Sequence, residues 1–290
     1  MTRHDPSAMP RRPLIPALVL VFLATILAAC GGESPTDRAA AEAGPEHVHG
    51  LGVNPADGAL LVATHTGLFR MEPGSDEMTR VGDRLQDTMG FAVVGPERFI
   101  GSGHPDLRDD LPPLLGLIRS DDGGRSWQTV SLTGEADFHA LLADGDRITG
   151  YDASGGRVMV SRDGGATWRQ SAPPAAIADI AAEPGAPGRL LATSEVGLLA
   201  STDSGATWRV GAGDAVLLSW PARETLYGFT STGEVRISGD GGSTWEDRGS
   251  LPGAPAAATE DEGRLIVALH DGGFASSSDG GRTWRDGAWG

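Results

Sequence analysis

The chain has 290 residues, of which 39% are hydrophobic, and it contains 43 glycines and 19 prolines. This composition suits one sizeable core built from many short segments and tight turns, and helical periodicity is scarce along the chain. The formal net charge of −16 argues against a nucleic-acid-binding protein, because recognition of a phosphate backbone requires a basic surface.

The amino-terminal segment has the features of a secretory signal peptide. Arg3, Arg11 and Arg12 precede an apolar run over residues 14–29, which ends in the sequence Leu-Ala-Ala-Cys at residues 27–30. The run is short and polar residues follow it directly, so it is a poor candidate for a membrane span.

The sequence at residues 27–30 resembles the lipobox of bacterial lipoproteins. The resemblance implies cleavage before Cys30, followed by lipidation of its thiol and of the new amino terminus. We therefore expect a signal peptide over residues 1–29, a lipidated tether over 30–45 and a domain over 46–290. The protein is then exported and lipid-anchored at the outer face of the bacterial membrane, with that membrane as a partner. The alternative is that Cys30 is a buried structural cysteine.

Five similar octapeptides, called boxes below, recur about every 40 residues between residues 120 and 284. They read SDDGGRSW, SRDGGATW, STDSGATW, SGDGGSTW and SSDGGRTW. Each repeat has three short apolar runs before its box and one strand after it. Four short strands joined by turns form one blade of a β-propeller. With one blade upstream of the first box, the sequence predicts an all-β fold with six four-stranded antiparallel blades, and seven blades are the alternative.

The residues of the boxes suit hairpin turns. The aspartate accepts backbone N–H groups, the glycine allows positive φ, and the tryptophan packs between sheets. The boxes match the Asp-box, or BNR, repeat, so the chain resembles the sialidase-like propeller superfamily. We assign a structural role to the aspartates and tryptophans of the boxes: Asp122, Trp127, Asp163, Trp168, Asp203, Trp208, Asp240, Trp245, Asp279 and Trp284.

Six histidines lie in the predicted domain, and all fall at the face opposite the boxes. This face carries the beginnings of the first strands and the ends of the second strands of the blades. Aligning the first strands places His49, Met89, His139 and Ala178 at one level. Imidazole and thioether donors converging there suit a soft or borderline metal, with copper ahead of zinc. The candidate ligands are His47, His49, His65, Met89, His104 and His139. Copper is thus the candidate cofactor, and polar lining of the central channel is the alternative role for these residues.

Resemblance to the sialidases implies a second hypothesis, glycoside hydrolysis by a tyrosine nucleophile or by carboxylates. The candidate catalytic residues are Tyr151, Asp152, Asp137, Glu135 and Asp87. The arginine cluster and the Arg-Ile-Pro stretch of sialidases have no clear counterpart, so the residues favour a binding module over an enzyme.

A third hypothesis is a membrane-anchored scaffold for protein assembly. Leu111, Leu114 and Leu115 lie in a long loop of blade two and suit a contact with a protein partner. The expected partners are therefore the membrane together with a metal, a glycan or a protein, and no nucleic acid.

Overall fold

The fold is a six-bladed β-propeller, in agreement with the sequence prediction. It is seen in a computed structural model that describes residues 44–289. The predicted signal peptide and Cys30 lie outside the described residues. Among the described residues, no helix is long and apolar enough to cross a membrane.

Each blade is an antiparallel sheet of four strands that follow one another in the chain. Blade one consists of β1 Val48–Val53, β2 Leu60–Thr64, β3 Gly67–Met71 and β4 Met78–Arg80, and blade two of β5 Asp87–Gly95, β6 Arg98–His104, β7 Leu117–Ser120 and β8 Gln128–Ser131. Blade three consists of β9 Phe138–Asp144, β10 Arg147–Asp152, β11 Arg157–Ser161 and β12 Arg169–Ser171, and blade four of β13 Ile177–Glu183, β14 Ala186–Ser194, β15 Gly197–Ser201 and β16 Arg209–Gly211. Blade five consists of β17 Ala215–Ala222, β18 Thr225–Thr230, β19 Glu234–Ser238 and β20 Glu246–Ser250, and blade six of β21 Pro255–Asp261, β22 Arg264–Leu269, β23 Phe274–Ser277 and β24 Arg285–Asp286.

The hydrophobic core lies between the blades. Many of the second and third strands are rich in buried apolar residues, and these side chains pack against the neighbouring sheet on either side. One apolar cluster joins Leu51 and Val62 of blade one to Ile266 and Ala268 of blade six. Similar clusters fill the other junctions between blades, so contact between the first and last blades closes the ring.

The boxes form the turns between the third and fourth strands. In the box of blade three, the Ser161 hydroxyl donates to Asp163 Oδ1 over 2.7 Å and accepts from the Gly165 N–H over 2.8 Å. Thr167 donates its backbone N–H and its hydroxyl to the two oxygens of Asp163. The Thr167 hydroxyl is the main cause that lowers the pKa of Asp163 to about 2. The other boxes repeat these bonds with their own serine, aspartate and Ser or Thr.

Trp168 links its box to the neighbouring blade. Its ring lies 5.3 Å from the ring of Phe138, and its indole N–H lies 3.0 Å from Ser131 Oγ in the outermost strand of blade two. Gly165 has φ +93°, and a Cβ on it would lie 2.3 Å from Leu117. The box is therefore a tight turn that also contacts the adjacent blade.

Candidate functional site

Every innermost strand has a one-residue bulge near its beginning. In each blade, the pairing between the first and second strands skips one residue of the first strand. A bulge redirects a side chain and often borders a functional site. The skipped residues, from blade one to blade six, are His49, Met89, His139, Ala178, Val216 and Ala256. The four residues that the sequence alignment placed at one level therefore occupy equivalent positions.

The innermost strands enclose a central channel with a cavity of about 530 Å³. His49 and His139 line this cavity together with Asp179, Glu260 and Asp261. Within residues 44–289, no arginine lines it. The channel is therefore an environment of carboxylates and imidazoles, which attracts cations.

Two histidines of blade one and an aspartate of blade two form the centre of the candidate site. One donor atom from each of His49, His65 and Asp87 lies within 4.8 Å of the other two. His65 Nδ1 is 2.9 Å from Asp87 Oδ1, and His49 Nε2 is 3.9 Å from the same oxygen. The rings of His49 and His65 meet edge to face, with 4.4 Å between centroids. We call these three residues the first site.

Two buried atoms of the first site lack hydrogen bonds. They are His49 Nε2 and Asp87 Oδ1. Although His65 Nδ1 is close to Asp87 Oδ1, the pair lacks the alignment of a hydrogen bond, so we treat it as a close approach of two donor atoms. Buried polar atoms are rarely left without partners in folded proteins. A cation between these atoms would satisfy both of them.

Burial is the main cause that lowers the pKa of His49 to about 4, and the nearby His65 lowers it further. Asp87 acts in the opposite direction but does not outweigh them. His49 is consequently neutral at physiological pH and keeps a lone pair on its ring, which is the form that binds metals.

A second group adjoins the first site on the blade-three side. His139 Nε2 lies 2.8 Å from Asp137 Oδ2, and His104 Nε2 lies 3.9 Å from the same oxygen. The other ring nitrogen of His104, Nδ1, lies 3.3 Å from Asp87 Oδ2. The hydrogen bond to Asp137 is the main cause that raises the pKa of His139. His104 therefore stands between the two aspartates.

Two further candidate ligands, His47 and Met89, and the sixth histidine of the domain, His270, belong to neither group. The exposed ring of His47 is 5.1 Å from that of His65, and His47 has φ +51°, an uncommon conformation that histidine adopts more readily than most residues. Met89 is half-buried at the bulge of blade two. His270 is exposed beyond the end of β22 in blade six.

Asp87 and Asp137 belong to the histidine cluster, although the sequence indicates them only as candidate catalytic carboxylates. The repeat itself contains a signal for them. Each lies two residues before a bulge, the position that His47 occupies in blade one. Extending the alignment by two residues would have grouped these side chains with the histidines.

The remaining catalytic candidates have structural contacts. Tyr151 is only 5% exposed and packs in the apolar cluster between blades three and four. Asp152 is fully buried, where it accepts from Arg157 Nε over 2.8 Å and from the Asp137 backbone N–H over 3.0 Å. Burial raises the pKa of Asp152, but these hydrogen bonds outweigh it and leave that pKa lowered. Glu135 is exposed, and its backbone carbonyl accepts from Arg157.

The long loop of blade two lies on the same face as the histidine cluster. Asp106 holds it in place, since this buried carboxylate pairs with Arg108 and accepts the Leu85 N–H over 2.7 Å. Leu107 is fully exposed and Leu111 is 43% exposed, while Leu114 is half-buried and Leu115 is buried. The loop thus presents two leucines to solvent beside the site.

No protein-family model and no curated protein sequence matches this chain. Solved structures are similar to it in fold. A GH74 xyloglucanase from Xanthomonas campestris has a TM-score of 0.57 and 16% identity, over 84% of this chain and 45% of that one. YCF48 from Cyanidioschyzon merolae has a TM-score of 0.52 and 15% identity, over 85% and 87% of the two chains.

An extracellular domain ascribed to a one-component system of B. thetaiotaomicron has a TM-score of 0.56 and 11% identity, over 84% of this chain and 33% of that one. This chain spans less than half the length of the GH74 structures that it matches. At these identities, the likeness establishes the propeller fold and nothing about the site.

Proposed function

We propose that this chain is a metal-binding propeller whose first site, His49, His65 and Asp87, binds one divalent transition-metal ion. The observation that carries the proposal is the convergence of three donor atoms, two of which are buried without a hydrogen bond. Two imidazoles and one carboxylate are a recurrent ligand set for such ions.

The donor atoms favour copper(II), followed by zinc. For nitrogen and oxygen ligands, affinity among divalent first-row metals is highest for Cu²⁺. The carboxylate of Asp87 favours a divalent ion over Cu⁺, which prefers sulfur ligands. Met89 lies at the bulge of blade two, the position equivalent to His49 in blade one. Its thioether is the candidate additional ligand that would allow the site to bind Cu⁺ as well.

Metal binding ranks ahead of glycoside hydrolysis because of the surroundings of Tyr151 and Asp152. Tyr151 is packed in the core, and Asp152 is paired with Arg157, so neither side chain faces the channel cavity. The carboxylates that do reach the cluster, Asp87 and Asp137, are in contact with histidines.

The location that we propose for this function is outside the cytoplasm, with the chain attached to the membrane through a lipid on Cys30. The support is the lipobox-like sequence at residues 27–30. Incorporation of labelled palmitate, which should be lost in Cys30→Ala, tests the lipid anchor.

Membership of the Asp-box superfamily is part of the same proposal, and the repeated hydrogen bonds of the boxes support it.

A copper(II) titration of the metal-free protein tests the metal site. We expect tight binding with nitrogen hyperfine splitting in the EPR spectrum, and we expect one equivalent of copper to be lost in both His49→Ala and His65→Ala. His270→Ala is the matched control, since His270 is also exposed at the end of a second strand but lies in blade six. Absence of binding, or a number of bound copper ions that neither substitution lowers, would refute the site.

A further inference from the structure

Asp137 has an environment that the first site does not explain. It is 5% exposed, and its Oδ1 atom is buried without a hydrogen bond. Among residues 44–289, the basic side chains recorded within 4 Å of it are His139 and His104. Arg157, the nearest arginine in this network, is paired with Asp152 instead. A buried carboxylate with an unpaired oxygen is costly unless a cation is close to it.

His104 cannot donate to both neighbouring aspartates while it is neutral. A neutral imidazole has one N–H and one lone pair. Its Nδ1 is within hydrogen-bonding distance of Asp87, at 3.3 Å, so Nδ1 is the natural position for the hydrogen. The lone pair is then on Nε2, which faces Asp137 Oδ2 at 3.9 Å. A lone pair and a carboxylate that face each other repel unless a cation lies between them.

The same arrangement is common around protein-bound metals. A histidine that binds a metal through one ring nitrogen usually donates its other N–H to a carboxylate, which fixes the ring orientation. Asp87 is placed to hold His104 in this way, with its Nε2 directed towards Asp137. His139 offers a third donor, 2.8 Å from Asp137.

We propose that a second divalent cation binds between Asp137, His139 and His104. The ion replaces the hydrogen bond between His139 and Asp137, and His104 moves closer to offer its Nε2 while its Nδ1 keeps the contact with Asp87. The inference extends the proposed function, because Asp87 would be a ligand of the first ion and would orient a ligand of the second. The face of the propeller then holds a pair of linked metal sites spanning blades one to three.

The stoichiometry of zinc binding tests this proposal. The full chain, purified in detergent and stripped of metal, is titrated with Zn²⁺, and bound zinc is measured by elemental analysis after dialysis. We expect two equivalents for the unaltered chain and one for Asp137→Asn. His139→Ala also removes one equivalent, and because His139 is more exposed than Asp137, it tests the site even if Asp137→Asn fails to fold.

Two further variants separate the sites. Asp214→Asn is the matched control, since Asp214 also lies two residues before a bulge but pairs with Arg236, and this variant keeps two equivalents. Asp87→Asn abolishes the first site and weakens the second by roughly 10–100-fold, as expected for loss of an orienting carboxylate.

Each outcome distinguishes the two proposals. One equivalent in the unaltered chain, unchanged by Asp137→Asn and His139→Ala, overturns the second site and leaves the first intact. Two equivalents that persist in both variants overturn it as well. No bound zinc or copper in the unaltered chain refutes the proposed function itself.

Discussion

Blades one to three differ from blades four to six at three positions that the backbone makes equivalent. The positions are two residues before the bulge, the bulge itself and the end of the second strand. In the first three blades the residues there are His47, His49, His65, Asp87, Met89, His104, Asp137, His139 and Ala153. In the last three they are Ala176, Ala178, Glu195, Asp214, Val216, Ser231, Ala254, Ala256 and His270.

The features that maintain the fold are shared around the ring, whereas the histidine cluster is confined to blades one to three. All the blades have the bulge and the apolar packing between sheets, because the ring needs equivalent junctions to close, and blades two to six also have the box. The histidine cluster that we propose as the metal site lies in one half of the ring, on blades one to three. Stability should therefore depend on both halves alike, and metal binding on one half.

The largest expected effect is on the shared architecture. Trp168→Ala, in the first half, and Trp245→Ala, in the second, each should lower the free energy of unfolding by about 3 kcal/mol, since each removes an aromatic ring from a junction between blades. Denaturant titration measures both. A cost confined to one half would show that the junctions are not equivalent.

Metal should stabilise the chain through its first half only. At a free copper(II) concentration of 100 times Kd, we expect the free energy of unfolding to rise by about 2.7 kcal/mol. Differential scanning calorimetry measures the rise in Tm. His49→Ala should remove the part of the rise that the first site contributes and His270→Ala should keep the whole rise, whereas an equal rise in both would locate binding outside the first site.

The second half has its own titrating group in the channel, Asp179. Burial is the main cause that raises its pKa to about 6, although it accepts the backbone N–H groups of Leu218 and Ile180. The folded protein therefore holds this proton more tightly than the unfolded chain, whose pKa is near 3.8. Stability is lost as the pH rises from about 4 to 6.

Asp179→Asn should remove that loss. Because asparagine does not ionise, the free energy of unfolding of the variant should not fall between pH 4 and pH 6, whereas that of the unaltered chain should fall by on the order of 2 kcal/mol. The amide offers one acceptor oxygen to two backbone N–H groups, so the variant should be less stable than the unaltered chain at pH 4. Denaturant titrations at the two pH values measure both differences, and a variant whose stability falls with pH as much as that of the unaltered chain would contradict the role of Asp179.

The smallest expected effect is that of His270→Ala in metal-free protein. His270 is exposed in blade six, so its truncation should change the free energy of unfolding by less than about 0.5 kcal/mol. His139→Ala should cost more, about 1–3 kcal/mol, because it removes a hydrogen bond from the buried Asp137. Equal costs would show that Asp137 does not depend on His139.

The sequence by itself determined the four-stranded blade, its repeat of about 40 residues and the place of the histidines at the ends of strands away from the boxes, and it favoured six blades over seven. These features follow from local patterns, since a box such as that around Asp163 forms its hydrogen bonds within a few residues of the chain. Because one box occurs in each of five repeats of about 40 residues, counting these repeats and adding the blade upstream of the first box gives the number of blades.

Only the tertiary structure decided which of these residues meet. Asp87 joins His49 and His65 because the ring places blade two beside blade one, and no local motif encodes that contact. Tyr151 is a second example. Its place near the end of the second strand of blade three follows from the sequence, but its burial in the core follows only from the packing of blade four against blade three. Contacts between residues of different blades depend on how the sheets pack around the axis, and spacing along the chain does not contain that information.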